Sequence, residues 1–133
     1  MTDKADIREE ILQLSEEFKN CRRILQAFGD ENRQHMIVEM LKMGRCGGVR
    51  VGEITEKTNL SRPAVSHHLK ILKEAGIVKM RKEGTRNYYY FDTDNSAFDG
   101  LLSMLAHSKS IVERLPERHF EKDETIKEDN GGA

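Results

Sequence analysis

The stretch SRPAVSHHLKILKEA, residues 61–75, followed by Gly76, constrains this chain more tightly than any other segment. Ser61 is a good helix N-cap, because its hydroxyl can accept a backbone N–H from the first turn. Pro63 is tolerated in that turn, where no intrahelical N–H bond is lost. Gly76 is a natural stop after the last turn. At about 100° per residue, Val65, Leu69 and Leu72 fall within a narrow arc and form a buried stripe. Arg62, Ser66, Lys70 and Lys73 gather on the other side with His67 beside them, and His68 borders the stripe. The helix therefore has one face for a core and one face for an anion.

The adjacent histidines raise the question of a metal. Neighbours on a helix point in different directions, whereas helical metal motifs use an i, i+4 spacing. His67 and His68 are thus assigned different roles. His67 stands exposed among cations and can donate to a phosphate or a base edge; its plainer reading is a surface bystander. His68 is expected to be partly buried and hydrogen-bonded within the domain.

The flanking segments extend this unit. Residues 51–59, VGEITEKTN, read as a short helix with Val51 and Ile54 facing in, and Leu60 sits in the turn. Two helices joined by a tight turn make a helix-turn-helix candidate. After Gly76, Ile77, Val78 and Met80 suggest one strand, EGTR a turn, and Tyr88, Tyr89, Tyr90 and Phe91 a second strand. This is a β-hairpin with Gly84 at its tip.

Upstream, residues 4–28 read as one or two amphipathic helices through Ile7, Ile11, Leu14 and Phe18, continued by Ile24, Leu25 and Phe28. Gly29 interrupts them, and Asp30 can cap a helix ENRQHMIVEMLK with Met36, Ile37, Met40 and Leu41 on one face. The glycines of GRCGG make a loop. Residues 95–115 return to helix, with Phe98, Leu101, Leu102, Leu105, Val112 and Leu115 as a stripe and Pro116 near its end. The remainder is charged and nearly free of apolar residues, so residues 1–120 are expected to fold as one domain and residues 121–133 to form a disordered tail.

With 133 residues, a charged fraction of 34% and no Trp, the chain fits a soluble helical domain with a modest core. Such a core gains from a partner subunit. No apolar run approaches the roughly 18 residues of a membrane span, the first ten residues are too charged for a signal peptide, and two cysteines lack the spacing of a disulfide framework. A cytoplasmic location is expected. The net charge of −1 argues against a nucleic-acid binder only until its distribution is read. From Ser61 to Tyr90, the seven cations Arg62, Lys70, Lys73, Lys79, Arg81, Lys82 and Arg86 face only Glu74 and Glu83. Such segregation marks a local anion-binding surface on a near-neutral protein.

Double-stranded DNA fits that surface. An α-helix enters the major groove, and its N-terminal residues meet base edges. The candidate contacts on the helix are Ser61, Arg62, Ser66, His67 and Lys70, with Pro63 and Ala64 as small apolar surfaces for a thymine methyl. On the hairpin they are Lys82, Arg86 and Asn87, which can follow the backbone or the minor groove. Enzymatic chemistry finds no support. There are no paired carboxylates and no nucleophile motif, and Gly44, Gly47 and Gly48 around Cys46 lack the Lys-Ser/Thr of a phosphate loop. No cofactor is expected.

The whole segment VGEITEKTNLSRPAVSHHLKILKEAGIV with KMRKEGTRNYYYF resembles the winged helix-turn-helix of the ArsR-type (arsenic-repressor-like) bacterial transcription regulators. The pattern S-x-x-x-V-S-x-H-L-x-x-L-x-x-A-G carries the resemblance. ILQAFGDENRQHMIVEML is similar to that family's approach helices, with Asp30 and Arg33 in matching places, so the likeness covers roughly residues 18–93. It implies a mainly α fold with a two-stranded β wing and a homodimer built through the first and last helices. It also implies repression of the chain's own operon and release of DNA when an inducer binds. A dimer would present two copies of helix 61–75 about one DNA turn apart, on an inverted-repeat operator.

Departures from the family bear on the inducer. The Cys-x-Cys of many metal sensors is missing from VGEITEKTN. The last-helix zinc motif is intact in neither half: DTDN stands upstream, and His107-Ser108-Lys109-Ser110 follows. No metal site is assigned, and His35, His107 and His119 have no spacing to recommend them as one. A thiol sensor is the other reading. Cys21 precedes Arg22 and Arg23, Cys46 follows Arg45, and neighbouring arginines favour a thiolate. A Cys21–Cys46 disulfide, within or across subunits, would re-angle the recognition helices; the plainer reading is two ordinary intracellular cysteines. A small organic ligand between the terminal helices stays open. A protein-interaction module without DNA binding would want a neutral recognition face, which this chain lacks.

Overall fold

The computed structural model describes residues 4–94 and 96–116. The proposed tail at 121–133, the domain limit at 120 and His119 lie outside the described residues. Six helices and one hairpin follow in the order α1 (Lys4–Asn20), α2 (Arg22–Phe28), α3 (Glu31–Met43), α4 (Val51–Thr58), α5 (Arg62–Glu74), β1 (Val78–Glu83), β2 (Arg86–Phe91) and α6 (Ser96–Glu113).

Local chemistry sets the joints. The first amphipathic stretch is two helices, divided at Cys21, whose amide bonds back to the Glu17 carbonyl at 3.0 Å. Asp30 caps α3 by accepting the Arg33 amide at 3.0 Å. Asn59 turns the chain between α4 and α5 with φ of 59°, a left-handed conformation that Asn tolerates better than most residues. Ser61 caps α5 by accepting the Ala64 amide at 3.2 Å. At the far end Gly76 takes φ of 79°, and the Ile77 amide closes on the Leu72 carbonyl at 3.0 Å.

The core forms where α5 meets its neighbours. Val65, Leu69 and Leu72 are fully buried, together with Met36 of α3, Ile54 of α4 and Ile77. Each such side chain contributes about 1.5–3 kcal/mol on leaving water, so the stripe read from α5 anchors the domain. α2 and α4 pack against α5, and α1 lies along α6.

Three expectations are corrected. Leu41, placed on the inner face of α3, is 59% exposed, because the core is reached by Met36 and Met40. On α6 the deeply buried residues are Met104 and Ile111, whereas Leu102, Leu105 and Val112 face outward, as does Leu115 just beyond the helix. On α1, Ile11 and Phe18 also remain exposed. Of the stripe expected on α6, only Phe98 and Leu101 pack against the core; Met104 and Ile111 lie outside that stripe, because α1 and α2 cover a different side of the helix. The sheet, finally, has a short extra partner. Val49 pairs antiparallel with Tyr89, with both N–H to O=C bonds at 2.8 Å.

Candidate nucleic-acid interface

The exposed side of α5 begins at its cap. Ser61, Arg62, Pro63, Ser66, His67 and Lys70 are all exposed, and Ala64 is half-buried. A thymine methyl would therefore meet Pro63 more readily than Ala64. These residues share a face because Val65, Leu69 and Leu72 commit the opposite one to the core. No acidic residue lies in the first turn of α5, so the positive end of the helix dipole adds to the cationic side chains.

Beside Arg62 lies a glycine that the sequence reading passed over. A methyl group at Gly52, in the first turn of α4, would stand 3.4 Å from Arg62 Nη1, so the guanidinium lies against a bare Cα. Arg50, Glu53 and Glu56 line the same small cleft.

The hairpin divides its three candidates. Val78 pairs with Phe91, Met80 with Tyr89 and Lys82 with Asn87. With a period of two, Lys82 and Asn87 lie on the core-facing side of the hairpin, carried past the core's edge. Arg86 pairs with Glu83 and points to the other side. The other hairpin cations are engaged. Lys79 pairs with Asp92 at 3.4 Å, and Arg81 bonds Glu83 at 3.2 Å with its guanidinium 5.0 Å from the centre of the Tyr88 ring.

His68 is half-buried and takes the internal role expected of it, with its Nδ1 3.1 Å from Arg33 Nη1. The two histidine rings lie 5.6 Å apart and tilted by 55°, on different sides of the helix. His107 belongs to an ionic cluster between α1 and α6, with Nδ1 2.5 Å from Glu17 Oε1 and Nε2 3.4 Å from Glu10 Oε1. His35 is exposed on α3. Among the described residues, no group of three or more His, Cys, Asp or Glu side chains is placed to hold a metal ion.

The two cysteines stand in different surroundings. Both are free thiols, Cys21 buried and Cys46 exposed. Cys21 lines a cleft with Ile24, Ala75 and Ala97; Cys46 lines another, of about 380 Å³, with Met40, Leu41, Tyr90 and Phe91. The two clefts share no residue. Arg45, the neighbour expected to favour a Cys46 thiolate, is paired with Glu53.

Residues 34–80 match the model of the bacterial regulatory protein, arsR family. An uncharacterised HTH-type transcriptional regulator of Methanocaldococcus jannaschii is 44% identical over 79 residues, spanning 59% of this chain and 85% of that one. The transcriptional repressor SdpR of Bacillus subtilis is 36% identical over 70 residues, spanning 53% of this chain and 73% of that one. Among solved structures, the homodimeric winged helix-turn-helix DNA-binding domain from Mycobacterium bovis superposes with a TM-score of 0.50 at 21% identity. It covers 89% of this chain and 100% of that one, a likeness of fold. No helix among the described residues is long and apolar enough to cross a membrane.

Proposed function

The chain belongs to the arsR family of bacterial regulatory proteins and is a DNA-binding transcriptional regulator, and from that premise we propose that it is a homodimeric, cytoplasmic repressor of an inverted-repeat operator, released by an inducer. The observation that carries this reading is the apolar surface left open on the first and last helices. Leu102, Leu105 and Val112 are 64%, 51% and 65% exposed. They fall within an arc of about 80° on α6, set about 80° around the helix from the buried arc of Met104 and Ile111. Ile11 and Phe18 extend the apolar surface on α1, which packs along α6. A second copy of the chain is the partner that the family resemblance implies for these helices. The cationic face of α5 and the hairpin, carrying Ser61, Arg62, Pro63, Ser66, His67, Lys70, Lys82, Arg86 and Asn87, would then meet DNA twice, half-buried Ala64 contributing least.

Two measurements test this. Sedimentation of the full chain should give a dimer, and Leu105→Glu with Val112→Glu should give a folded monomer; a monomeric wild type would sink the dimer. Footprinting on the DNA upstream of its own gene should protect two symmetric half-sites about one helical turn apart. Protection of a single half-site would rule out the paired reading.

A second reading concerns the inducer and is favoured by the position of Cys46. Its exposed thiol opens onto an apolar cleft at the base of the hairpin, so thiol modification at Cys46 alone suits the fold better than a Cys21–Cys46 disulfide within one chain. Loss of operator binding on blocking Cys46, absent in Cys46→Ser, is the expected result.

A further inference from the structure

Arg33 holds three helices at one point. Its Nε donates to the Ala27 carbonyl at 2.9 Å and its Nη2 to the Gln26 carbonyl at 3.0 Å. Both acceptors lie in the last turn of α2, where the dipole favours a cation; the Gln26 carbonyl also accepts the Gly29 amide at 3.2 Å. Its own amide closes the Asp30 cap of α3. The remaining arm, Nη1, reaches His68 Nδ1 on α5 at 3.1 Å. A guanidinium has only donors, so Nδ1 must accept, and the neutral ring carries its proton on Nε2.

His68 sits in the recognition helix between His67 and Leu69, at the border of core and DNA face. Binding groups must be held to within about 0.5 Å by the residues behind them. We propose that Arg33 is a positioning residue for DNA reading. Through His68 it fixes how α5 is presented, so that Arg62, Ser66, His67 and Lys70 meet base edges in one orientation. The inference rests on α5 reading DNA and adds the group that aims it.

The latch is proton-sensitive, because a protonated His68 has no lone pair for Arg33. The charged and titratable groups around it are Asp30 at the start of α3, Arg33 itself and His67 on α5. Arg23 of α2 and Glu74 of α5 line the cleft beside Arg33. Burial holds the His68 pKa below its ordinary value, and Arg33 and His67 push the same way against Asp30. The neutral, latched state is therefore complete above about pH 6.5 and is lost as the pH falls through the lower folded value.

The test uses the full chain and two labelled duplexes: one that the wild type selects from a random-sequence pool, and a scrambled control. The readout is the ratio of their affinities from pH 8 to 5.5, with circular dichroism confirming helix content. Arg33→Ala should lower the ratio about tenfold at pH 8, in keeping with the loss of one oriented base contact, while binding to the scrambled duplex persists. Arg33→Lys should not restore it, since an ammonium cannot make the three-way fork. His68→Asn, whose amide oxygen can accept in place of Nδ1, should keep the ratio at pH 8 and lose less of it at the acid end than the wild type does. A wild-type ratio in folded Arg33→Ala, or the same acid decline in His68→Asn as in wild type, would overturn the assignment. A wild type that selects no duplex at all would instead overturn the DNA reading beneath it.

Discussion

Glu10 on α1 and Arg114, one residue beyond α6, hold each other by two hydrogen bonds, Nη1 to Oε2 at 2.7 Å and Nη2 to Oε1 at 2.6 Å. Paired bonds of this kind fix geometry as well as charge. They clamp together the two helices whose outer faces are proposed to form the dimer. The hydrogen bonds from Arg114, with its charge, hold the Glu10 carboxyl below its ordinary pKa. Because the folded value is depressed, the contribution is present above about pH 4.5 and is lost as the pH falls through the folded value. Glu10→Gln should lower the melting temperature by a few degrees at pH 7. The difference from wild type should close in acid, and a pH-independent difference would contradict the ion-pair account.

The base of the hairpin depends on Gly48. Its φ is +95°, and a methyl there would stand 2.9 Å from the Tyr89 carbonyl oxygen and 3.2 Å from Tyr88 Cβ. The Val49–Tyr89 bridge leaves no room to yield. Gly48→Ala should therefore destabilise the domain by about 2 kcal/mol, from left-handed strain plus the clash. Gly47→Ala, with nothing within 4 Å of the new methyl, should change stability little. Equal urea midpoints for the two variants would refute the steric argument.

Thiol accessibility separates the two cysteines. Native protein should react rapidly with Ellman's reagent at one thiol per chain, Cys46, and release the second, Cys21, only on unfolding. Cys46→Ser should abolish the fast phase. If blocking Cys46 leaves binding to the selected duplex unchanged, thiol sensing at that position is excluded.

Hairpin and helix should differ in what they do for DNA. Lys82→Ala should weaken selected and scrambled duplexes alike and reduce the slope of log affinity on log salt by about one. Arg62→Ala should cost about 1–3 kcal/mol on the selected duplex and relax preference at one base. Equal losses on both duplexes for Arg62→Ala would remove it from base reading.

Local rules made much of this protein legible in one dimension. Ser61 and Gly76 bounded the recognition helix, because caps are chosen by a few nearby backbone groups. Val65, Leu69 and Leu72 declared its buried side, because a helix turns by a constant angle. The same angle separated His67 from His68. Tertiary structure decided what depends on a second element. Arg33 looked like one cation among many until folding set His68 and the α2 carbonyls around it. Val49 found its strand partner across some forty residues. Periodicity told which residues of α1 and α6 are apolar, but only packing showed that Met104 and Ile111 are covered within the chain while Leu102, Leu105 and Val112 are left open. A helix's period is a property of its own backbone, whereas the width of the face that gets buried belongs to whatever packs against it.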